Sequence, residues 1–212
     1  MLTIEKTVLP SPEQWEIVIE GMRNPMNSWD KMDSDIVWDM SSEADVFILG
    51  DADHGLMTKL ANGGAVHAKY RRMIPVWVTI NAPLYWWKEF DTYKVGTVCN
   101  SCSTMHKIHS KEFSLDDFSH EHLIRSNVGW LKRTIKRLNE DRLLFVENGD
   151  KDDWWQLIQM LPTSYNQKRT VMLNYEVLVN IYKWRRNHKL DEWHTFCDWI
   201  EGLPHAELIM NV

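Results

Sequence analysis

The chain has 212 residues, 44% of them hydrophobic, and a formal net charge of −6 at pH 7. This apolar content is sufficient for a hydrophobic core, and a single domain over residues 1–212 is the expected organisation. The acidic balance argues against non-specific binding to nucleic acid or to an anionic membrane, because both would repel the molecule as a whole.

The N-terminal segment and the cysteines indicate a reduced, cytoplasmic setting. Residues 1–6 lack the apolar core of a signal peptide, and no uncharged apolar run approaches membrane-spanning length. The three cysteines, an odd number, provide no disulfide framework. We therefore expect a cytoplasmic protein that does not associate with membranes.

The N-terminal third of the chain predicts a strand followed by helices. Residues 1–9 alternate weakly between apolar and polar types, which is typical of an edge strand. Ser11, followed by proline and glutamate, is a suitable N-cap, so a helix is predicted over residues 12–22. A second helix is predicted near residues 55–61, where the Asn-Gly-Gly cluster at 62–64 would end it.

The middle of the chain carries the clearest strand signal. Residues 74–80 form a β-branched and aromatic run, and the proline at its start favours an edge or a bulge. Pro83 begins a Trp-rich helix that extends into Tyr93, and the small polar residues 96–103 predict a tight loop. An amphipathic, basic helix is predicted around residues 128–138. The predicted fold class is therefore α+β and rich in helix.

The most informative stretch begins at Leu161-Pro162. The sequence predicts a turn here, a short extended lead-in, and then a helix that carries Asn174, Asn180 and Arg185. At about 100° per residue, Asn180 and Arg185 lie within roughly 140° of each other on that helix. Polar groups repeated among core residues usually line a site, so we expect function to be located here.

Twelve tryptophans are far more than an average composition provides. An aromatic-rich core with subunit contacts would account for them, and so would stacking against a planar ligand. The composition does not separate these interpretations.

Three segments resemble the flavin-dependent thymidylate synthases, the ThyX family. Residues 80–85, Ile-Asn-Ala-Pro-Leu-Tyr, match the strand that enters the family's signature helix. The signature Arg-His-Arg-x-x-Ser falls on residues 92–97, and with one inserted residue its polar loop falls on residues 100–106.

The third segment matches without gaps: Leu161-Pro162, Asn174, Leu178, Asn180 and Arg185 all stand in register with the family. Overall the likeness covers roughly residues 55–200, and its third segment carries most of the weight.

The resemblance implies a ThyX-like fold, a small central antiparallel or mixed sheet flanked by helices, and a homotetramer. It also implies that reduced FAD relays a carbon from methylenetetrahydrofolate to dUMP, with NADPH as a further partner. Arg185 would hold and polarise the pyrimidine, and Asn174 and Asn180 would contact the cofactor. The remaining nucleotide cradle would consist of Lys94, Thr97, Asn100 and Ser103.

The departures from the family pattern lie at its basic groups. Thr92 and Lys94 replace the two signature arginines, Tyr93 replaces the histidine between them, and Glu176 replaces a helix arginine. A carboxylate beside a diphosphate would be repulsive by about 1–4 kcal/mol. An alternative is therefore a non-catalytic ThyX-fold protein that binds or sequesters a nucleotide without flavin. A Trp-rich interaction protein with no small-molecule affinity is a third interpretation.

Two further motifs are given structural interpretations. Cys99, Cys102, His106 and His109 are donors of the kind that zinc prefers, but they lie within eleven residues and lack a distant second pair. Reduced cysteines in a substrate loop are favoured, and no metal is predicted. The basic stretch over residues 132–137 is interpreted as a solvated helix face or a subunit contact rather than a nucleic-acid patch.

Overall fold

The computed structural model describes residues 1–210 and has a mixed α+β architecture. The strands are β1 (Thr3–Val8), β2 (Asp35–Asp39), β3 (Ala44–Ile48), β4 (Pro75–Pro83), β5 (Val98–Ser101) and β6 (Asn166–Asn174). The helices are α1 (Pro12–Arg23), α2 (Asp51–Asn62), α3 (Leu84–Phe90), α4 (Arg125–Asn148), α5 (Lys151–Met160), α6 (Tyr175–Arg185), α7 (Asp191–Glu201) and α8 (Glu207–Met210). No helix in this part of the chain is long and apolar enough to cross a bilayer.

The strands form a four-stranded sheet in the order β1-β4-β6-β5 and a separate antiparallel hairpin of β2 and β3. The predicted edge strand at residues 1–9 is confirmed, because β1 lies at one end of the larger sheet. The predicted strand at 74–80 is also confirmed, as β4. It lies between β1 and β6, so it is not the edge strand that its proline favoured as one of two possibilities. Alternate residues of β4 are buried, which explains why its apolar pattern was readable: Val76, Val78 and Ile80.

Helix α1 confirms the predicted helix over residues 12–22. The Ser11 hydroxyl accepts a hydrogen bond from the Gln14 N–H, and the Gln14 side chain returns one to the Ser11 N–H, which forms a capping box.

Other boundaries differ from the sequence-based prediction. Helix α2 begins at Asp51, four residues before the predicted start at 55, because acidic residues in its first turn complement the helix dipole. Helix α4 extends well beyond residues 128–138 and ends at Asn148, where the C-cap Gly149 has a φ of 68°, in the left-handed region. The predicted loop at 96–103 contains β5, which the apolar pattern missed because all four of its residues are exposed.

The described chain divides into two compact units. The first comprises residues 1–5, 79–92 and 99–170, and the second comprises residues 6–78, 93–98 and 171–210. The single domain over 1–212 stays a prediction, and its last two residues lie outside the described range.

The first unit has a core between α4, α5 and the segment that precedes α4. Its buried members are Ile108, Phe113, Phe118, Leu131, Ile135, Leu138 and Leu157. Trp86, Trp87 and Phe90 of α3 are buried in the same unit, with ring centroids 4.8–5.3 Å apart.

The second unit packs α1, α2, α6 and α7 around large apolar side chains. Ile19, Met57, Leu178, Trp193 and Phe196 are all fully buried. Trp193 is therefore a core residue, as one interpretation of the many tryptophans expected. Trp38 and Trp184, in contrast, are more than half exposed.

A buried ion pair anchors α1 to α2 in the second unit. The Arg23 Nε donates to the Asp53 carboxylate at 2.5 Å, and both side chains are almost fully buried. The second carboxylate oxygen of Asp53 accepts from the Ser34 N–H and hydroxyl and from the Asp33 N–H. Burial alone would raise the pKa of Asp53, but the hydrogen bonds from Ser34, Arg23 and Asp33 lower it.

We expect Asp53→Ala to reduce the free energy of unfolding by about 3–5 kcal/mol, because it leaves the Arg23 guanidinium buried without its partner. Urea denaturation at neutral pH measures this. Asp30→Ala is the matched control, since Asp30 is exposed and its change should stay within about 0.5 kcal/mol. Equal losses of unfolding free energy in the two variants would show that the Arg23–Asp53 pair does not stabilise the fold.

The depressed pKa of Asp53 also predicts a pH dependence. A carboxylate whose pKa is lower in the folded state stabilises the fold above its unfolded pKa of about 3.9, and this contribution is lost as the pH falls. Stability of the unmodified chain should therefore decline below that pH more steeply than stability of Asp53→Ala. Parallel curves from denaturation between pH 7 and pH 3 would show that Asp53 does not contribute.

Candidate functional site

Arg185 lies in the last turn of α6, and its guanidinium is surrounded by aromatic rings. The Arg185 Nε donates to the Tyr93 hydroxyl at 3.0 Å. Its guanidinium carbon lies 4.8 Å from the ring centroid of Trp193 and 5.7 Å from that of Tyr93. A cation over aromatic faces is attracted by their quadrupoles, so the position of the charge is fixed in this half-buried setting.

The local sequence explains how these rings come together. Helix α7 begins at Asp191, a few residues after α6 ends, and carries the fully buried Trp193 back toward α6. The Tyr93 and Trp193 rings meet edge to face at 6.1 Å, and the His188 ring lies 6.4 Å from Trp193. We call Arg185 with Tyr93, His188 and Trp193 the Arg185 cluster.

Asn174 does not lie on the helix that the sequence predicted for it. It is the N-cap of α6 and the last residue of β6, and its side-chain oxygen accepts from the Val177 N–H at 3.1 Å. The short extended lead-in of the prediction is in fact the nine-residue strand β6. An asparagine commonly has this capping role, because its side-chain oxygen satisfies a first-turn N–H.

The other side of the Asn174 amide packs against Gly96. A Cβ placed at Gly96 would lie 3.0 Å from the Asn174 Nδ2. The φ of Gly96 is 79°, in the left-handed region that favours glycine. The cap and the glycine turn therefore constrain each other.

Asn180 is exposed on α6. Its side-chain N–H donates to the Glu176 carbonyl one turn earlier at 3.1 Å. Both asparagine amides thus bond to the backbone of the helix itself, and their predicted contact with a cofactor stays a prediction.

The four predicted cradle residues belong to different units. Lys94 and Thr97 lie in the second unit, as do Asn174, Asn180 and Arg185, whereas Asn100 and Ser103 lie in the first. Lys94 is exposed, and its carbonyl accepts from the Thr97 N–H at 3.4 Å. The Thr97 hydroxyl oxygen is buried and has no hydrogen-bond partner within residues 1–210.

Asn100 is exposed on β5, and Ser103 follows that strand. The Ser103 hydroxyl oxygen accepts from two backbone N–H groups of its own loop, at 2.8 and 3.2 Å. The Ser103 side chain therefore stabilises the conformation of the loop that, by resemblance, would contact the nucleotide.

Glu176, the carboxylate at the position of a family arginine, has a buried basic partner. Arg71 is 1% exposed, and both its Nε and its Nη2 lie 2.9 Å from the same Glu176 oxygen. Its Nη1 donates to the Leu208 carbonyl at 3.2 Å. Sequence reasoning missed Arg71 as a partner, although the basic run at 69–72 directly before the best strand was a signal.

The sequence analysis treated Glu176 only as a carboxylate that would repel a diphosphate, whereas the structure gives it an internal partner in Arg71. Glu176→Arg should lower the free energy of unfolding by about 3–5 kcal/mol, because it places a second cation beside a buried, unpaired guanidinium. Glu16→Arg makes the same charge change at an exposed position of α1 and should cost less than about 0.5 kcal/mol. A stable Glu176→Arg variant in chemical denaturation would contradict the pairing.

The cysteine and histidine motif does not assemble a metal site in the described residues, where no group of three or more His, Cys, Asp or Glu side chains could hold an ion. Cys99 and Cys102 are free thiols. Partial burial raises the pKa of the Cys99 thiol. Arg169, whose Nη1 lies 3.9 Å from the sulfur, lowers this pKa but does not cancel the effect of burial. A raised pKa makes the thiol less nucleophilic at neutral pH.

No protein-family model and no curated protein sequence matches this chain. Solved structures do. A crystal structure of thymidylate synthase X (ThyX) from Helicobacter pylori with FAD and dUMP is 16% identical, with a TM-score of 0.65 over 99% of this chain and 95% of that one. A second ThyX structure from Helicobacter pylori with FAD and dUMP is 17% identical, with a TM-score of 0.66 over 99% and 98%.

A third similar structure is the UMP/dUMP methylase PolB from Streptomyces cacaoi bound with 5-Br dUMP, at 13% identity and a TM-score of 0.60 over 95% and 88%. Identities this low establish the fold and no more. The mixed α+β architecture of this chain is the ThyX fold.

Proposed function

We propose that this chain binds a pyrimidine nucleotide of the dUMP type and that Arg185 holds the base. The observation that carries the proposal is the position of the Arg185 guanidinium, hydrogen-bonded to Tyr93 and stacked on Trp193. Support comes from the fold, because the similar structures are described with dUMP or 5-Br dUMP.

The chemistry of the cluster suits this ligand. A guanidinium presents several N–H donors in one plane, and a pyrimidine presents carbonyl and ring-nitrogen acceptors in one plane. Donation from a cation polarises the ring carbonyls, and aromatic neighbours strengthen the interaction by excluding water. The Tyr93 hydroxyl keeps the Arg185 Nε engaged, which orients the guanidinium.

The residues that the resemblance assigns to FAD do not fit its diphosphate. Asn174 and Asn180 bond to the backbone of α6, and Glu176 places a carboxylate where the family has an arginine. Among the replaced signature positions, Lys94 is the single cation, and it is exposed. We therefore derive no step through a flavin, and nucleotide binding without flavin is the function that the geometry favours.

The second candidate is transfer of a one-carbon unit to dUMP with FAD, methylenetetrahydrofolate and NADPH. It is favoured by the residues retained in register, Asn174, Asn180 and Arg185, and by a fold match over 99% of the chain. Both candidates share the homotetramer that the resemblance implies and the cytoplasmic location that the N-terminal segment and the cysteines indicate.

Arg185→Ala should weaken dUMP binding by about 1.5–3 kcal/mol, the range for a charge-assisted hydrogen bond. Isothermal titration calorimetry measures this. Lys183→Ala removes an exposed cation from the same helix and should leave the affinity unchanged. The urea midpoints of both variants should stay close to that of the unmodified chain.

Unchanged dUMP affinity in Arg185→Ala would remove Arg185 from the site. Absence of dUMP binding by the unmodified chain would overturn the proposed function itself.

Tyr93→Phe gives a finer test, because it keeps the ring and removes only the hydroxyl that orients Arg185. Its loss of affinity should be smaller than that of Arg185→Ala.

The absorbance spectrum of the purified protein separates the two candidates. Without flavin binding, the visible region stays flat, and added FAD is removed by gel filtration. Flavin bands that copurify, or that shift when dUMP is added, would instead support the FAD-dependent candidate.

A further inference from the structure

The hairpin of β2 and β3 takes no part in the proposed nucleotide site. Its two strands pair with each other and with no other strand of residues 1–210, so the hairpin has two open edges. An open edge presents backbone N–H and C=O groups with which another extended chain can pair. The hairpin is therefore a candidate docking surface.

The rest of the second unit holds the hairpin firmly. The Phe47 ring of β3 stacks on the buried Trp15 ring of α1, with centroids 5.7 Å apart and an interplanar angle of 12°. At the base of the hairpin, the Ser34 hydroxyl accepts from the Gly50 N–H at 3.0 Å and donates to Asp53 at 2.7 Å. Isolated hairpins are marginally stable in water, so these contacts keep the open edges in place for a partner.

The hydrogen bonds of β2 show which backbone groups face its open edge. The Ile36 N–H donates to the side chain of the preceding Asp35 at 2.8 Å, so it points away from β3. Residues of an antiparallel pair alternate in the direction of their backbone groups, so those of Trp38 point to the same edge. Trp38 is 62% exposed, and its backbone bonds to no segment outside the hairpin in the described chain.

The side chains of β2 define what such a partner would meet. Ile36 lies opposite Phe47, whose ring packs on α1, so the other face of the hairpin points away from that helix. Because side chains alternate along a strand, Asp35, Val37 and Asp39 share this outer face. An exposed apolar residue thus lies between two carboxylates.

The hairpin region is strongly acidic. Residues 32–50 contain five carboxylates and no lysine or arginine. Hydrogen bonds from the Ser41 N–H and from the hydroxyls of Ser42 and Ser41 lower the pKa of Asp39 to about 2, so this carboxylate is charged at physiological pH. A surface of this charge repels nucleic acid and anionic membranes and attracts a cationic partner.

The same charges disfavour a second copy of this chain as the partner. Antiparallel pairing of two β2 edges about Val37 would place Asp35 of each copy opposite Asp39 of the other. Like charges directly opposite each other destabilise a sheet, whereas opposite charges stabilise it. The complementary occupant of this edge is therefore an extended segment that carries cations at these two positions.

We propose that the open edge of β2 binds an extended, basic segment of another protein, in which two lysines or arginines flank three β-branched or apolar residues. In an antiparallel arrangement, the two cations lie opposite Asp35 and Asp39, and the central residue lies opposite Val37. The other two residues pair with the backbone groups of Ile36 and Trp38. The added strand converts the hairpin into a three-stranded sheet, which is more stable than two strands alone.

The test is a titration of the isotope-labelled full chain with the peptide Gly-Ser-Lys-Val-Thr-Val-Lys-Ser-Gly, followed by NMR chemical shifts. We expect saturable shifts. Affinity should fall roughly fivefold or more when Asp35→Asn and Asp39→Asn are combined, because both cross-strand charge pairs are lost while the hydrogen-bond acceptors remain. Glu112→Gln combined with Glu147→Gln makes the same charge change at exposed positions of the first unit and should leave the affinity unchanged.

Two further peptides separate strand pairing from simple attraction of charge. Glutamates in place of both lysines should abolish binding. Methylation of the two valine amide nitrogens keeps the charges and side chains but removes the donors that pair with β2, and it should also abolish binding. The proposal is overturned by absence of saturable shifts with the first peptide, by equal affinity of the two double variants, or by full affinity of the methylated peptide.

Discussion

The start of α6 is the constraint on which the candidate site depends. Asn174 ends β6 and caps α6, so it sets the first helical residue and therefore the rotational phase of the whole helix. Arg185 follows eleven residues later, about three turns at 3.6 residues per turn, and so emerges on nearly the same face as the cap. The left-handed Gly96 fits against the Asn174 amide, which brings the Tyr93–Val98 segment to this face as well.

Buried arginines distinguish the second unit electrostatically. Arg23 pairs with Asp53, and Arg71 pairs with Glu176, each with its guanidinium almost fully removed from water. Such pairs stabilise only when both partners are present, because a single buried charge is costly. Glu176 is thus part of an internal pair, and an arginine at its position would be incompatible with Arg71.

The candidate site holds its cation in a defined orientation. Arg185 is fixed by a hydroxyl and by aromatic rings, which favours a planar ligand with directional acceptors. The chemistry of the site follows from how this cation is held.

Strong local signals were sufficient to predict several elements from the sequence. Ser11 before a proline and a glutamate predicted the N-cap of α1, and a β-branched and aromatic run predicted β4. The sequence also placed Arg185 on a helix. The strand β5, whose residues are all exposed, is evident only in the tertiary structure. The same is true of the role of Asn174, which the sequence pattern placed within α6 and which in fact caps that helix. The tertiary structure alone paired Arg71 with Glu176, 105 positions apart. Those features depend on contacts between distant segments, and local periodicity carries no information about which distant segments meet.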